Sequence, residues 1–395
     1  MNDRNDRRIL TMTIGCFLAF AVFGVAEILK GSTLFAVLDE TGYSYSRGGT
    51  IVMASYLGFF AATLAGGAAA ELGGRKVLLT AASACFLLGM GGYSLARGLP
   101  AFLAASFLIG LGCGATEIGA NYIIVDLRRR NPGLYLNLLS ACFGLGSMLA
   151  PQYSGRLFTA GFSWREIYWF AAVGPALLLV FFSLARYPRQ INPDNPENRV
   201  PPERPAFRTM LQSAFSPGIG WFYLLVFAYV AAEMAIGHWI VEYLRTAREM
   251  PVESASNWLS LFFGCIMAGR IVGGFFVERI GYVNSMAGAT ALTMLAVAAG
   301  IYGPAGLAIL LPLSGLFFAV ILPTAIALIS TRLGETERGT ALGVLFCFVG
   351  LGGMAGPWLA GVVNDFLGLR SGMSVALFFL LLLPAALLRI GKAIK

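Results

Sequence analysis

Charge is scarce in this sequence. Its 395 residues include 28 Lys or Arg and 20 Asp or Glu, 12% of the chain, against roughly 25% in a soluble globular domain. That shortage excludes a water-soluble enzyme and a charge-rich disordered chain. Histidine occurs once, at His238. The six cysteines (Cys16, Cys85, Cys113, Cys142, Cys265 and Cys347) stand singly, with neither metal-site spacing nor the density of a disulfide scaffold. They read as small buried hydrophobes, and the sequence asks for no metal or cofactor. No phosphate loop is present, which disfavours an ATP-driven pump. No HExxH or Ser-His-Asp pattern points to hydrolysis within a membrane, and the chain is not read as an enzyme.

What is abundant is apolar. Hydrophobic residues make up 57% of the chain and mean hydropathy is +0.75. Apolar runs recur every thirty-odd residues, and each is long enough for a membrane span of about 20 residues. The runs predict twelve spans: 10–38, 47–70, 77–97, 101–126, 134–158, 166–185, 218–244, 256–278, 285–302, 306–331, 339–364 and 372–390. Glycine, at 49 residues, suits helices that approach closely in lipid. The charged start followed by an apolar stretch resembles a signal peptide, but the run is long and no small-residue cleavage site follows, so it is read as span one.

The net charge of +8 is topogenic and does not point to nucleic acid. With these spans, nineteen Lys or Arg fall at the N-terminus, the even-to-odd loops and the C-terminus, and six fall in the opposite loops. That asymmetry places both termini in the cytoplasm, and the expected location is the plasma membrane of a bacterium.

The one long polar stretch, 186–217, is Pro-rich and aperiodic, and reads as a cytoplasmic linker. It divides the chain into a six-span unit at 1–185 and another at 218–395. The units match at a nearly constant offset. Ala26-Glu27-x-x-x-Gly31 returns as Ala232-Glu233-x-x-x-Gly237, and Gly67-x-x-x-Glu71-x-x-Gly74 returns as Gly274-x-x-x-Glu278-x-x-Gly281. Gly144-Leu145-Gly146-x-Met148-x-x-Pro151-x-x-x-Gly155 returns as Gly350-Leu351-Gly352-x-Met354-x-x-Pro357-x-x-x-Gly361. A doubled six-span bundle implies a carrier, because two like bundles can rock about a site between them. The predicted fold is therefore all-α, with twelve transmembrane helices in two pseudo-symmetric bundles.

GAAAELGGRK, Gly67 to Lys76, and its second copy GFFVERIG, Gly274 to Gly281, resemble the loop signature of the major facilitator superfamily. The first copy has Glu71 where Asp is usual and Leu72 where Arg is usual. GCGATEIGAN, Gly112 to Asn121, and YVAAEMAIGHWIVEY, Tyr229 to Tyr243, are similar to the fucose and glucose/galactose permease branch. Gly352-x-x-x-Gly356-Pro357 resembles a drug-antiporter signature, although here it lies in span eleven. The resemblance implies a major facilitator fold in which spans one, four, seven and ten line the cavity. It also implies a sugar-like substrate, with an acid of span four and an Asn four residues on in the site.

An ionisable side chain in hydrocarbon is expensive and is by default a functional candidate. Glu27, Glu117 and Glu233 sit mid-span in spans one, four and seven, and span ten carries Pro323-Thr324 at similar depth. Burial raises a carboxyl pKa and a nearby cation lowers it, so a cavity glutamate is a candidate proton carrier. Glu117 is the first choice, with Asn121 on the same helix face; the alternative is a pair that only ties helices together. Lys30 is within reach of Glu27, either as a neutralising partner or as a seat for an anionic substrate. Tyr229 and Gly237 share the face of Glu233, where a gap at Gly237 would admit a hydroxylated solute. His238 lies off that face and four residues from Glu242, as a packed residue or a proton relay, and Trp239 either stacks on a sugar ring or packs. Glu71, Arg75, Glu278 and Arg279 are expected at a cytoplasmic gate, and Arg270 as a structural ion pair between gate and cavity.

The expected function is secondary active import of a sugar-like solute coupled to protons, with sodium as the other coupling ion. Proton-driven efflux of a drug or organic anion is the runner-up, and a membrane receptor the third reading. The partners are the solute, the ion and the lipid, and the expected state is a monomer.

Overall fold

A computed structural model describes residues 3–128, 131–187, 218–333 and 335–394. In a bilayer each backbone N–H and C=O must be satisfied within its own segment, and the apolar runs are accordingly helical. No strand occurs among the described residues. Twelve helices are long and apolar enough to cross a membrane. They are α1 (Asp3–Thr41), α2 (Tyr45–Gly73), α3 (Arg75–Leu95), α4 (Leu99–Leu127), α5 (Pro132–Thr159) and α6 (Trp164–Leu184). The second six are α7 (Ile219–Ala247), α8 (Val252–Ile280), α9 (Tyr282–Tyr302), α10 (Ala305–Ser330), α11 (Glu335–Leu367) and α12 (Leu369–Lys392). Every expected span is found, with its ends displaced by about two turns at most. Of the expected linker, 188–217 lie outside the described residues.

The helix ends follow local chemistry. Ser44 caps α2 by accepting the Arg47 N–H, and Ser163 and Glu166 form a capping box at the start of α6. Gly74 and Gly281, equivalent positions of the repeated signature, leave α2 and α8 at φ +85° and +89°, a backbone region open to glycine at little cost.

The packing repeats as the sequence does. In the first half α1 packs on α5, α2 on α4 and α3 on α4; in the second α7 packs on α11, α8 on α10 and α9 on α10. The glycines explain the match. A Cβ at Gly146 would overlap the Ala21 carbonyl of α1, and one at Gly352 would overlap the Phe227 carbonyl of α7. Ala21 and Phe227 are themselves equivalent positions of the repeat. Lipid supplies no hydrophobic drive between helices, so such close backbone approach is what holds them.

The two six-helix bundles meet along three seams, α2 on α11, α5 on α8 and α1 on α7. The first two exchange under the pseudo-two-fold relation. α7 is the most completely buried span, which is why its polar residues sit where the halves join.

Candidate functional site

The chain reverses at each loop, so the helix ends fall into two sets. One, the near end, carries the N-terminus, the α2–α3, α4–α5, α8–α9 and α10–α11 turns and the end of α12; the far end carries the α1–α2, α3–α4, α5–α6, α7–α8, α9–α10 and α11–α12 turns. Glu117 of α4, Arg270 of α8 and Tyr229 of α7 stand equally far along their helices from the far end. At 1.5 Å of rise per residue this sets all three at one level, roughly 27 Å from the far end. Glu233 and Glu27 are one turn nearer the far end.

Two polar groups occupy this central zone. In the first, Asn121 donates to Glu117 Oε1 at 2.8 Å and to the Glu117 carbonyl at 2.7 Å. Both residues are half-buried, so water can reach the pair. Arg270, on the other half, lies within electrostatic reach of Glu117, of Glu233 and of the Tyr229 hydroxyl. The Nε of Arg270 and the Tyr229 hydroxyl are buried without a hydrogen-bond partner among the described residues. A cavity of about 210 Å³ runs from Arg270, Pro323 and Thr324 at mid-depth to Glu278 and Tyr282 at the near end. Arg270 thus lines this cavity together with Pro323 and Thr324, all within the second half, while its charge reaches Glu117 of the first.

The second group is buried. Lys30 Nζ bonds Glu27 Oε2 at 3.3 Å and Ser55 Oγ at 2.6 Å, and Lys30 is 1% exposed. Of the two roles open to Lys30, the geometry gives the neutralising partner. His238 enters this group from the second half, with its ring 5.9 Å from that of Tyr56 and its Nδ1 2.9 Å from the Met234 carbonyl. Glu27 Oε1, Tyr56 Oη and His238 Nε2 are buried without partners among the described residues. Counting along α7 pairs His238 with Glu242, but Glu242 is taken by Tyr45, Arg245 and Thr246.

On α7 the geometry selects packing of the two roles open to Trp239, and the gap expected at Gly237 is corrected. Trp239 is 0% exposed, donates Nε1 to the Pro357 carbonyl at 2.8 Å and meets the Tyr45 ring edge-on at 5.6 Å. It packs, and no solute can stack on it here. The gap at Gly237 is filled by α8, since a Cβ there would meet the Phe263 ring at 3.3 Å, and α1 presses on the backbone beside it, where a Cβ on Gly31 would strike the Gly237 carbonyl.

Among the described residues expected at a gate, no bond crosses between the halves. Arg75 pairs with Asp126 and Lys76 donates to the Ser183 carbonyl, both within the first half. Glu278 and Arg279 are exposed, and the Glu71 side chain lies outside the described residues. The halves are bonded instead at the far end. Arg245 pairs with Asp39 at 3.1 Å, and Tyr45 donates to Glu242 at 2.9 Å. Asp365 of α11 accepts the backbone N–H groups of Tyr45 and Ser46 at 2.8 Å and the Ser46 hydroxyl. On the other seam Thr159, the counterpart of Asp365 in the repeat, donates to Glu253 at 3.1 Å, and Gln152 donates to Ser260 at 2.9 Å. The far end is closed, and the cavity at Arg270 opens toward the near end. Nothing in a single sequence pairs Asp365 with the distant Tyr45; the only hint is an acid at the end of an apolar run.

A 3-(3-hydroxy-phenyl)propionate transporter of Escherichia coli is 24% identical over 89% of this chain and 86% of its own. Among solved structures, an inward-facing, unoccupied bacterial homologue of the human lysosomal transporter Spinster superposes with TM-score 0.83 at 14% identity, over 99% of this chain and 98% of that one. The Escherichia coli fucose:proton symporter superposes with TM-score 0.62 at 20% identity, over 97% and 99%. The family profile described as Major Facilitator Superfamily matches residues 9–302 and again 240–393. With two packed bundles, three seams and a cavity that opens at one end, the chain belongs to the Major Facilitator Superfamily of membrane transporters.

Proposed function

We propose that this transporter carries a small hydroxylated, sugar-like solute together with protons, by alternating access to the space between Glu117, Asn121, Tyr229, Glu233 and Arg270. The observation that carries the reading is the half-buried Glu117–Asn121 pair facing an arginine of the opposite half. A carboxylate there can accept a proton, its amide partner can bond a hydroxyl, and Arg270 feels the change in charge. Loss of the Glu117 charge loosens the pull between α4 and α8, and the halves are freed to rock. Glu27, Lys30 and His238 at the α1–α7 seam would sense that movement without touching the solute.

The excess of basic residues on the near-end loops supports a cytoplasmic near end, which makes this conformation inward-open in a bacterial inner membrane. If proton and solute move together, an inward proton gradient drives import into the cell. Efflux of an organic anion is the second reading, favoured by Arg270 and by a relative whose named substrate is a hydroxylated acid.

The experiment is uptake into proteoliposomes under an imposed proton gradient, with a sodium gradient as the parallel arm. Glu117→Gln should abolish gradient-driven accumulation while sparing exchange of solute across the membrane. Normal accumulation in that variant, with its pH dependence intact, would remove Glu117 from coupling. Accumulation driven by sodium alone would replace the coupling ion.

A further inference from the structure

We infer that the solute carries a carboxylate, and that this group sits on the Arg270 guanidinium in place of a glutamate that protonation has neutralised. The inference rests on the transport reading above and names its substrate class as a hydroxylated organic acid.

Three observations converge on Arg270. First, it is the cation that borders the cavity, whereas Lys30 is sealed and held by Glu27 and Ser55. A guanidinium at this depth is costly unless it serves a function. Second, its Nε is buried and unpartnered among the described residues, while Glu117 directs Oε1 to Asn121. The planar fork of donors matches a carboxylate two bonds at a time, and part of that fork is unused. Third, the wall beside it is small. Gly273 and Gly274 follow on α8 and line the cavity, and nothing lies within 4 Å of where a Gly274 Cβ would be. Thr324 across the cavity adds a hydroxyl.

Charge arithmetic ties the acid to the proton. With Glu117 and Glu233 both ionised around Arg270 the centre sums to −1, and an anion is repelled. One proton brings it to 0, and a second to +1. The other polar groups around the centre are Asn121 from α4, Tyr229 from α7 and Thr324 from α10, with Tyr56 of α2 buried within electrostatic reach of Glu233 and Glu278 two turns along α8 at the near end. None of these adds positive charge. The anion thus enters with a proton, and one proton with one anion moves without net charge.

The test is binding to the purified full-length chain of two matched pairs, D-glucuronate against D-glucose and 3-hydroxybutyrate against 1,3-butanediol. At least one acid should bind about tenfold or more tighter than its neutral mate, more tightly at about pH 5.5 than at about pH 8. Arg270→Gln should lose that preference, and Arg270→Lys should keep part of it. Equal binding of acids and neutral mates, or no binding of any, overturns the inference, and so does an acid preference that survives in folded Arg270→Gln. Should Arg270→Gln fail to fold, the wild-type comparison and Arg270→Lys decide. Gradient-driven flux of D-glucose alone would sink the acid and leave the carrier standing. Acid binding lost in Arg270→Gln, with no flux of any probe, would keep the site and remove the carrier.

Discussion

Asp365 of α11 accepts the Tyr45 backbone N–H at 2.8 Å across the boundary between the halves. It also accepts the next N–H, of Ser46, and so occupies the positive end of the α2 dipole. The bond exists only while the far end is shut. Asp365→Ala should therefore weaken the closed far end by about 1–2 kcal/mol, roughly 5- to 30-fold in population. Distances between spin labels at Arg97 and Ala305, both at the far end, would report it as a larger long-distance fraction. An unchanged distribution would show that Asp365 is not a latch.

Lys30 and Glu27 should behave as a unit. Lys30→Met leaves Glu27 buried beside an apolar side chain, and breaking such a pair costs about 3–5 kcal/mol. The Glu27→Gln/Lys30→Met double variant removes both charges and should regain most of that loss. Thermal unfolding in detergent across the four proteins gives the coupling energy. Additive losses would mean that the 3.3 Å pair contributes nothing.

Trp239→Phe separates packing from solute stacking. The variant loses the bond to the Pro357 carbonyl and should lose about 1 kcal/mol of stability. Solute affinity should stay within about twofold, a change of under about 0.5 kcal/mol. A large loss of affinity with unchanged stability would return Trp239 to the site.

The two equivalent glycines offer a control on the repeat. Gly146→Val and Gly352→Val each force a side chain into a facing carbonyl and should destabilise by about 1–3 kcal/mol. Gly288→Ala, where nothing lies within 4 Å, should be near neutral. Matching losses in the first two, read from unfolding midpoints, would confirm that the halves use the repeat alike.

Much of the architecture is legible in the chain itself. Lipid leaves the backbone one option, so apolar run length locates the spans, and the common offset gives the duplication down to Gly146 and Gly352. Glu117 and Asn121 can be paired because helical periodicity acts within one segment. The same periodicity misleads at His238, whose ring packs on Tyr56 of another helix, and at Gly237, whose open face is closed by Phe263 of α8. Arg270 escapes it for a related reason. Its depth along α8 can be counted, but its reach to Glu117 is decided by how two bundles dock. Contacts between halves also change during turnover, so no fixed pattern in one chain needs to encode them.

The duplication is faithful in its glycines and unfaithful in its fastenings. Where α11 offers the ionised Asp365 to two amides, α5 offers the neutral Thr159 hydroxyl to one carboxylate. Unequal bolts on a double door mean that one leaf swings before the other. The α5–α8 edge should part first, and the first opening toward the far side would be lopsided, a slit along Gln152 and Ser260 before it is a funnel.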